Sequence, residues 1–236
     1  KIIDAPFISQ MPNYPTGCES VATVMALQYA GKNISVDTFI DQYLPIEPLN
    51  PLLPVSFDPY ITFGGNPRTM DGYGCYAPVI KTALDKIFAN TYYTAENITG
   101  LSLPELCSKY IDNNIPVIVW ATMEMKTPYI SKTWTAWTGR KIQWVAPEHC
   151  LLLVGYDDYF YYFNDPRDSK ARTYYRKEAV DRAYKAQGSQ AVVIQADART
   201  AREWKVRQVL SVFEMVKDIT SKTFEERQRI SGLSSE

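Results

Sequence analysis

Pro147-Glu-His-Cys-Leu-Leu-Leu-Val-Gly-Tyr-Asp-Asp-Tyr-Phe-Tyr-Tyr-Phe-Asn-Asp-Pro166 is the stretch that decides the fold. Residues 149–156 and 159–163 are apolar and aromatic runs of strand length, separated only by Asp157-Asp158. That is the pattern of two antiparallel strands closed by a tight turn. Upstream, Pro116 opens a third, β-branched run that ends near Met123, and residues 190–196 supply another. Residues 77–88 and 103–113 carry apolar positions at helical spacing. Helices therefore come first and strands afterwards, with hairpin connections in place of alternating βαβ units, which predicts an α+β fold with an antiparallel sheet. Neither a G-x-x-x-x-G-K-[ST] nor a G-x-G-x-x-G element occurs, so a doubly wound nucleotide-binding fold is disfavoured.

Working outward from the hairpin, residues 1–31 read as an extended lead-in, a Pro/Gly turn and a helix. Thr16 is the expected N-cap and Gly31 the expected stop. Prolines 45, 48, 51, 54, 59 and 67 together with Gly64-Gly65 exclude regular helix or central strand from that region, so it should be a long ordered loop. Residues 127–145 form a Trp- and Thr-rich stretch. From about 199 to 229, apolar residues at Trp204, Val206, Val209, Leu210, Phe213, Val216 and Ile219 fall close to helical spacing among charges. The expected organisation is a catalytic domain over residues 1–197 and an amphipathic helical extension over 198–236.

Of 236 residues, 46% are hydrophobic and 22% charged, enough apolar material for one sizeable core. A formal net charge of −1 lacks the basic footprint that nucleic-acid binding demands. The longest apolar run is far shorter than the roughly 20 residues needed to cross a bilayer. The first residue is Lys1 and not Met, so a trimmed or processed N-terminus is expected, with any signal segment out of view. Cys18, Cys75, Cys107 and Cys150 show neither Cys-x-x-Cys nor dense disulfide-scaffold spacing, which speaks against a zinc ribbon.

The chain holds a single histidine, His149, so any imidazole chemistry must pass through it. Cys18 lies in Pro15-Thr-Gly-Cys-Glu-Ser20, followed by an almost uniformly apolar helix. Thr16 and Glu19 have the spacing of a capping box, which would place Gly17 and Cys18 in the first helical turn. Free amide groups and the positive end of the helix dipole favour a thiolate there, while the neighbouring Glu19 works against it. An imidazolium partner is needed, and His149 alone can supply it. His149 starts a strand, and its hairpin partner ends in Asn164-Asp165-Pro166. Asp165 is the expected third member, orienting the ring, with Asn164 as the alternative. A carbonyl oxygen that gains charge needs donors, and the Gln10 amide with the Cys18 backbone N–H could provide them. Tyr60, Phe63, Tyr73, Trp134 and Trp137 could line a substrate groove, although packing is the better reading for most of them.

Taken in order, Gln10, the Pro-Thr-Gly-Cys-Glu-Ser run, Gly31, Gly72-Tyr-Gly-Cys-Tyr-Ala-Pro78, Pro116-Val-Ile-Val-Trp120, His149 through Gly155-Tyr-Asp157, and Asn164-Asp-Pro166 resemble the C39-like peptidases of bacteria. These are relatives of the double-glycine leader peptidases with a papain-like fold. The resemblance spans about residues 4–196. It implies Cys18 as nucleophile, His149 as base, Asp165 as its orienting partner and Gln10 as the oxyanion residue. It also implies a peptide or protein substrate, no metal or organic cofactor, and an exported bacterial protein. The leader peptidases carry Asp-Cys-Gly where this chain has Gly-Cys-Glu, so leader processing is not implied. Two rivals stand beside hydrolysis: a transpeptidase or acyltransferase using the same thiol, and a non-catalytic peptide-binding module.

Overall fold

In the computed structural model, the described residues are 1–50 and 52–196. In chain order their elements are α1 (Cys18–Tyr29), α2 (Val36–Gln42), β1 (Ile46–Glu47), β2 (Phe63–Gly64), α3 (Ala77–Phe88), β3 (Tyr93–Asn97), α4 (Leu103–Lys109), β4 (Val117–Thr122), β5 (Tyr129–Thr135), β6 (Lys141–Ala146), β7 (Glu148–Tyr156), β8 (Phe160–Asn164), β9 (Thr173–Arg176), α5 (Lys177–Ala186) and β10 (Ala191–Ala196). The proposed helix near 199–229 and the extension 198–236 lie outside the described residues. Among the described residues, no helix is long and apolar enough to cross a membrane.

A six-stranded sheet in the order β3-β10-β4-β7-β8-β9 forms the frame, and the β10–β4, β4–β7, β7–β8 and β8–β9 pairs are antiparallel. The central β4 is buried along its whole length and β7 nearly so, as their unbroken apolar runs require. Helix α1 packs against β7, and every residue from Cys18 to Leu27 is buried. A helix covered on all sides has no need of a polar face, which explains its uniform composition. Helix α3 buries Val79, Ile80, Ala83, Leu84 and Phe88, and the Trp120 indole N–H of β4 donates to the Cys75 carbonyl just before it at 2.8 Å.

The α+β class stands, but the strict order of helices then strands does not. Strand β3 precedes α4, and α5 separates β9 from β10. Helix α4 ends at Lys109, and a short 3-10 turn, Ile111–Asn113, follows across Tyr110 at φ −121, so the expected single helix over 103–113 is broken. Residues 127–145 resolve into the β5–β6 hairpin. The two ends of the proline-rich region are tied by the two-residue parallel pair β1–β2.

The capping box expected at Thr16–Glu19 is absent. Gly17 caps α1 without a side-chain hydrogen bond, and the Thr16 hydroxyl donates to the carbonyls of Asn66 and Thr69. A side chain on Gly17 would meet Tyr14 Cβ at 2.9 Å, so the close approach of the preceding turn selects glycine there. The same S-x-x-E pattern does form a capping box at Ser102–Glu105, where the carboxylate is exposed and free to turn back on its own helix. Glu19 is fully buried and committed elsewhere. At the other end of α1, Gly31 takes φ +79 just past the cap, as expected of a left-handed stop.

Candidate active site

The sheet brings His149 and Asp165 together. His149 is the second residue of β7, paired with Ala121 of β4, and Asp165 follows the last residue of β8. The imidazole Nε2 lies 2.6 Å from Asp165 Oδ1 with both residues buried. Burial works to raise the Asp165 carboxyl, but the His149 hydrogen bond and charge, the Arg167 amide at 2.9 Å and the Tyr175 hydroxyl at 3.1 Å outweigh it and hold it below the usual range. Asn164 turns away, and its amide donates to the carbonyls of Ala5 and Pro6 at 3.0 Å, tying the N-terminal segment to the end of β8. Strand alternation separates the two neighbours as anticipated, and Asp165 is the one that meets the ring. The Nδ1 atom of His149 is buried without a hydrogen-bond partner.

The N-terminal segment carries Gln10 to the same end of the sheet, where its backbone N–H donates to the Pro166 carbonyl at 2.7 Å. The Gln10 side chain is buried. Its amide donates to the Pro15 carbonyl at 2.9 Å, and its Oε1 has no partner. An amide nitrogen has two hydrogens, so one donor stays available after the Pro15 bond.

Cys18 lies in the first turn of α1 as expected, though as its first residue behind a Gly17 cap and not a Thr16 cap, and its surroundings differ from expectation. The thiol lies 3.2 Å from Glu19 Oε2, and the Cys150 amide, one residue beyond His149, also bears on the sulfur. Burial and the charges of Glu19 and Glu148 push the thiol well above its ordinary range, and the Cys150 amide offsets little of this. The anticipated lowering by the helix end is overridden because a helix terminus contributes only partial charge, whereas desolvation and two carboxyls act together.

Sequence reasoning missed the acid pair. Glu19 Oε1 accepts the Cys75 amide at 2.6 Å. Burial lifts its carboxyl to about 7, against the downward pull of that amide and the Cys18 thiol. Glu148 faces it, and burial followed by the Glu19 charge pushes this second carboxyl well above its usual range. A Cβ on Gly74, at φ +130, would lie 2.5 Å from Glu19 Oε1 and 3.3 Å from Glu148 Oε2, so glycine makes room for the pair. Glu148 directly precedes the only histidine, on the opposite face of the strand, and that adjacency was the available signal. Cys18 Sγ and one oxygen from each of Glu19 and Glu148 lie within 4.8 Å of one another, the one such donor group among the described residues. Two adjacent buried carboxyls are accounted for by keeping protons.

Raised carboxyl values carry a stability consequence. In the unfolded chain Glu19 ionises near about 4.3, while in the fold it keeps its proton to about 7. The folded state thus binds more protons between these values, so stability is present at low pH and declines as pH rises through the window. Thermal unfolding from pH 4.5 to 7.5 should show that decline, and Glu19→Gln should flatten it.

Beside Gly74, Trp144 stacks on Tyr76 with centroids 5.3 Å apart. Trp144 also reaches an open cleft of about 670 Å³, whose walls include Leu53, Met70, Tyr73 and Lys132. Of the aromatic groove candidates, Tyr73 alone lines this cleft. Phe63 is fully buried, Tyr60 lies under the Arg140 guanidinium, Trp134 donates to the Phe57 carbonyl, and Trp137 donates to Glu47. All four cysteines are free thiols, and burial raises Cys75 and Cys150 as well, with Glu19 adding to it.

A model of the Peptidase_C39 like family matches residues 2–192. The uncharacterized protein YvpB of Bacillus subtilis (strain 168) is 32% identical over 198 residues, covering 83% of this chain and 76% of its own length. A crystal structure from Bacillus anthracis, described as that of a "putative C39-like peptidase", superposes with a TM-score of 0.72 at 27% identity, covering 83% of this chain and 97% of the other. A double glycine motif protease from an AMS/PCAT transporter, solved with its leader peptide, reaches a TM-score of 0.46 at 15% identity, covering 83% and 94%. With most of its length matched by the family model and a relative above 30% identity, this chain belongs to the Peptidase_C39 like family and has a papain-like α+β fold.

Proposed function

We propose that the protein is a cysteine peptidase that hydrolyses peptide bonds through an acyl-enzyme on Cys18. The observation that carries this reading is the buried His149–Asp165 pair, which leaves the imidazole Nδ1 free on a strand whose next amide bears on the Cys18 sulfur. The Asp165 carboxylate accepts the hydrogen bond donated by Nε2–H, which fixes the ring so that Nδ1 is the basic nitrogen. The reaction requires the Cys18 side chain to rotate away from Glu19 so that the sulfur meets that nitrogen and the S–H proton passes to Nδ1. The thiolate then attacks the substrate carbonyl, while the free Gln10 N–H and the Cys18 backbone N–H take the developing oxyanion. Nδ1–H protonates the leaving amine, and water activated by the same imidazole releases the acid and frees the sulfur. The cleft beyond Trp144 gives the flanking peptide a place to lie.

The test is digestion of a peptide mixture in 18O-labelled water, with and without an added primary amine. Hydrolysis predicts new C-terminal carboxyls carrying the label, and Cys18→Ala should produce none. Amine-capped fragments that displace the labelled acids would instead make the protein an acyltransferase. Peptide binding without cleavage by the wild-type chain would favour a binding module.

A further inference from the structure

Glu19 has no part in the scheme above, yet it is the group that holds the nucleophile in the structure. Its carboxylate bridges the Cys75 amide at 2.6 Å and the Cys18 thiol at 3.2 Å. Burying a carboxylate is costly unless it is paired, and Glu19 is fully buried. The titratable groups around it are Cys18 on its own helix, Glu148 and Cys150 on β7, and Cys75 and Tyr76 ahead of α3. Each of these is a carboxyl, a thiol or a phenol, so their ionisation can only add negative charge beside the sulfur. Glu148 keeps one further buried oxygen, Oε1, without a partner.

We propose that Glu19 is a positioning residue that latches the nucleophile: ionised, it accepts the Cys18 S–H and keeps the sulfur protonated, and on taking up a proton it yields the sulfur to His149. The inference rests on Cys18 and His149 acting as proposed above. In proton terms, release adds one solvent proton to the Glu19 carboxylate, and the S–H proton then moves to His149 Nδ1, leaving thiolate and imidazolium beside a neutral carboxyl. Ionised Glu19 opposes the thiolate twice, by retaining its proton in a hydrogen bond and by repelling the negative sulfur. A carboxyl lifted to about 7 sets this exchange within the neutral range. The Gly-Cys-Glu sequence, where leader peptidases carry Asp-Cys-Gly, thereby acquires a role.

The test is the pH dependence of iodoacetamide alkylation at Cys18, read by peptide mass mapping from pH 5 to 9, on wild type and Glu19→Gln. This readout needs no substrate. Wild type should show an inflection near pH 7, where reactivity stops rising as the latch engages. Glu19→Gln should lack it and react about tenfold faster at pH 8, with little change at pH 5.5, because removing one adjacent charge is worth on the order of one pKa unit. Coincident profiles in a variant whose circular dichroism shows it folded would overturn the latch while leaving Cys18 as nucleophile. A wild-type profile with no inflection near pH 7 would overturn it even if the variant does not fold. Labelling at other cysteines with Cys18 silent in both proteins would overturn the latch and the peptidase reading together.

Discussion

Cys18→Ala is expected to abolish measurable peptide hydrolysis, with kcat/KM falling by roughly 10⁴-fold or more, since nothing else in the site can form the acyl intermediate. Cys75 and Cys150 are equally buried and their thiols are raised by the same burial and acid pair, but neither heads a helix beside the imidazole strand. Cys107 lies on α4, where burial pushes its thiol up to about 12. Substitution of any of these three should therefore leave turnover near wild type. Peptide binding by Cys18→Ala should persist, because the cleft past Trp144 does not include the sulfur. Steady-state kinetics on one cleaved peptide, with equilibrium binding of the same peptide to the variant, separates the two effects. Unchanged turnover in Cys18→Ala would place the nucleophile elsewhere.

Asp165→Ala should cost about a hundredfold or more in kcat with a smaller change in KM, because it removes the acceptor that fixes the His149 ring and leaves the bond to substrate untouched. Asp165→Asn should recover part of the loss, since a carboxamide oxygen can still accept Nε2–H. Stability carries a second signature of the same residue. The folded Asp165 carboxyl is held below its usual range, so its contribution is present above about pH 3.9 and is lost as pH falls through the lower folded value. Acid unfolding of Asp165→Ala should accordingly be less steep below pH 4 than that of wild type. Turnover of Asp165→Ala equal to wild type would assign the Nε2 contact a purely structural part.

The portions of the fold legible in the sequence were those where packing and local pattern agree. Strands β4, β7 and β8 sit inside the sheet, so their apolar runs stand out, and the Asp157-Asp158 turn joins two of them. Strands β3 and β9 lie at the two edges of the same sheet. In β3 only Ala95 is buried, and in β9 no residue is fully buried, so neither leaves an apolar signature. Helix α5 escaped notice for a related reason: it buries only Val180, Ala183 and Tyr184 within an otherwise charged segment. The β5–β6 hairpin did carry a signal in the alternation of exposed Lys141 and Gln143 with buried Ile142 and Trp144.

Within the site, Cys18, His149 and Asp165 stood out because each is set by a local feature: a helix start, the sole imidazole and a strand end. The environment of the sulfur was not legible. Glu19 looked like a capping residue because a capping box is written in sequence, whereas the Cys75 amide that claims its carboxylate is 56 residues away. The pairing of Glu19 with Glu148 likewise depends on how α1 lies across β7, which no local pattern specifies.

Peptide cleavage as proposed requires His149 to activate the sulfur of Cys18, and the most direct measurement is the iodoacetamide alkylation rate of Cys18 at pH 6.5 in wild type and in His149→Ala. At this pH Glu19, lifted to about 7, is largely protonated and its charge no longer opposes the thiolate, so with the imidazole as partner wild-type Cys18 reacts faster than an ordinary free thiol, and the variant loses at least tenfold. Equal rates in the two folded proteins would contradict the pairing and, with it, the assignment of Cys18 as an activated nucleophile.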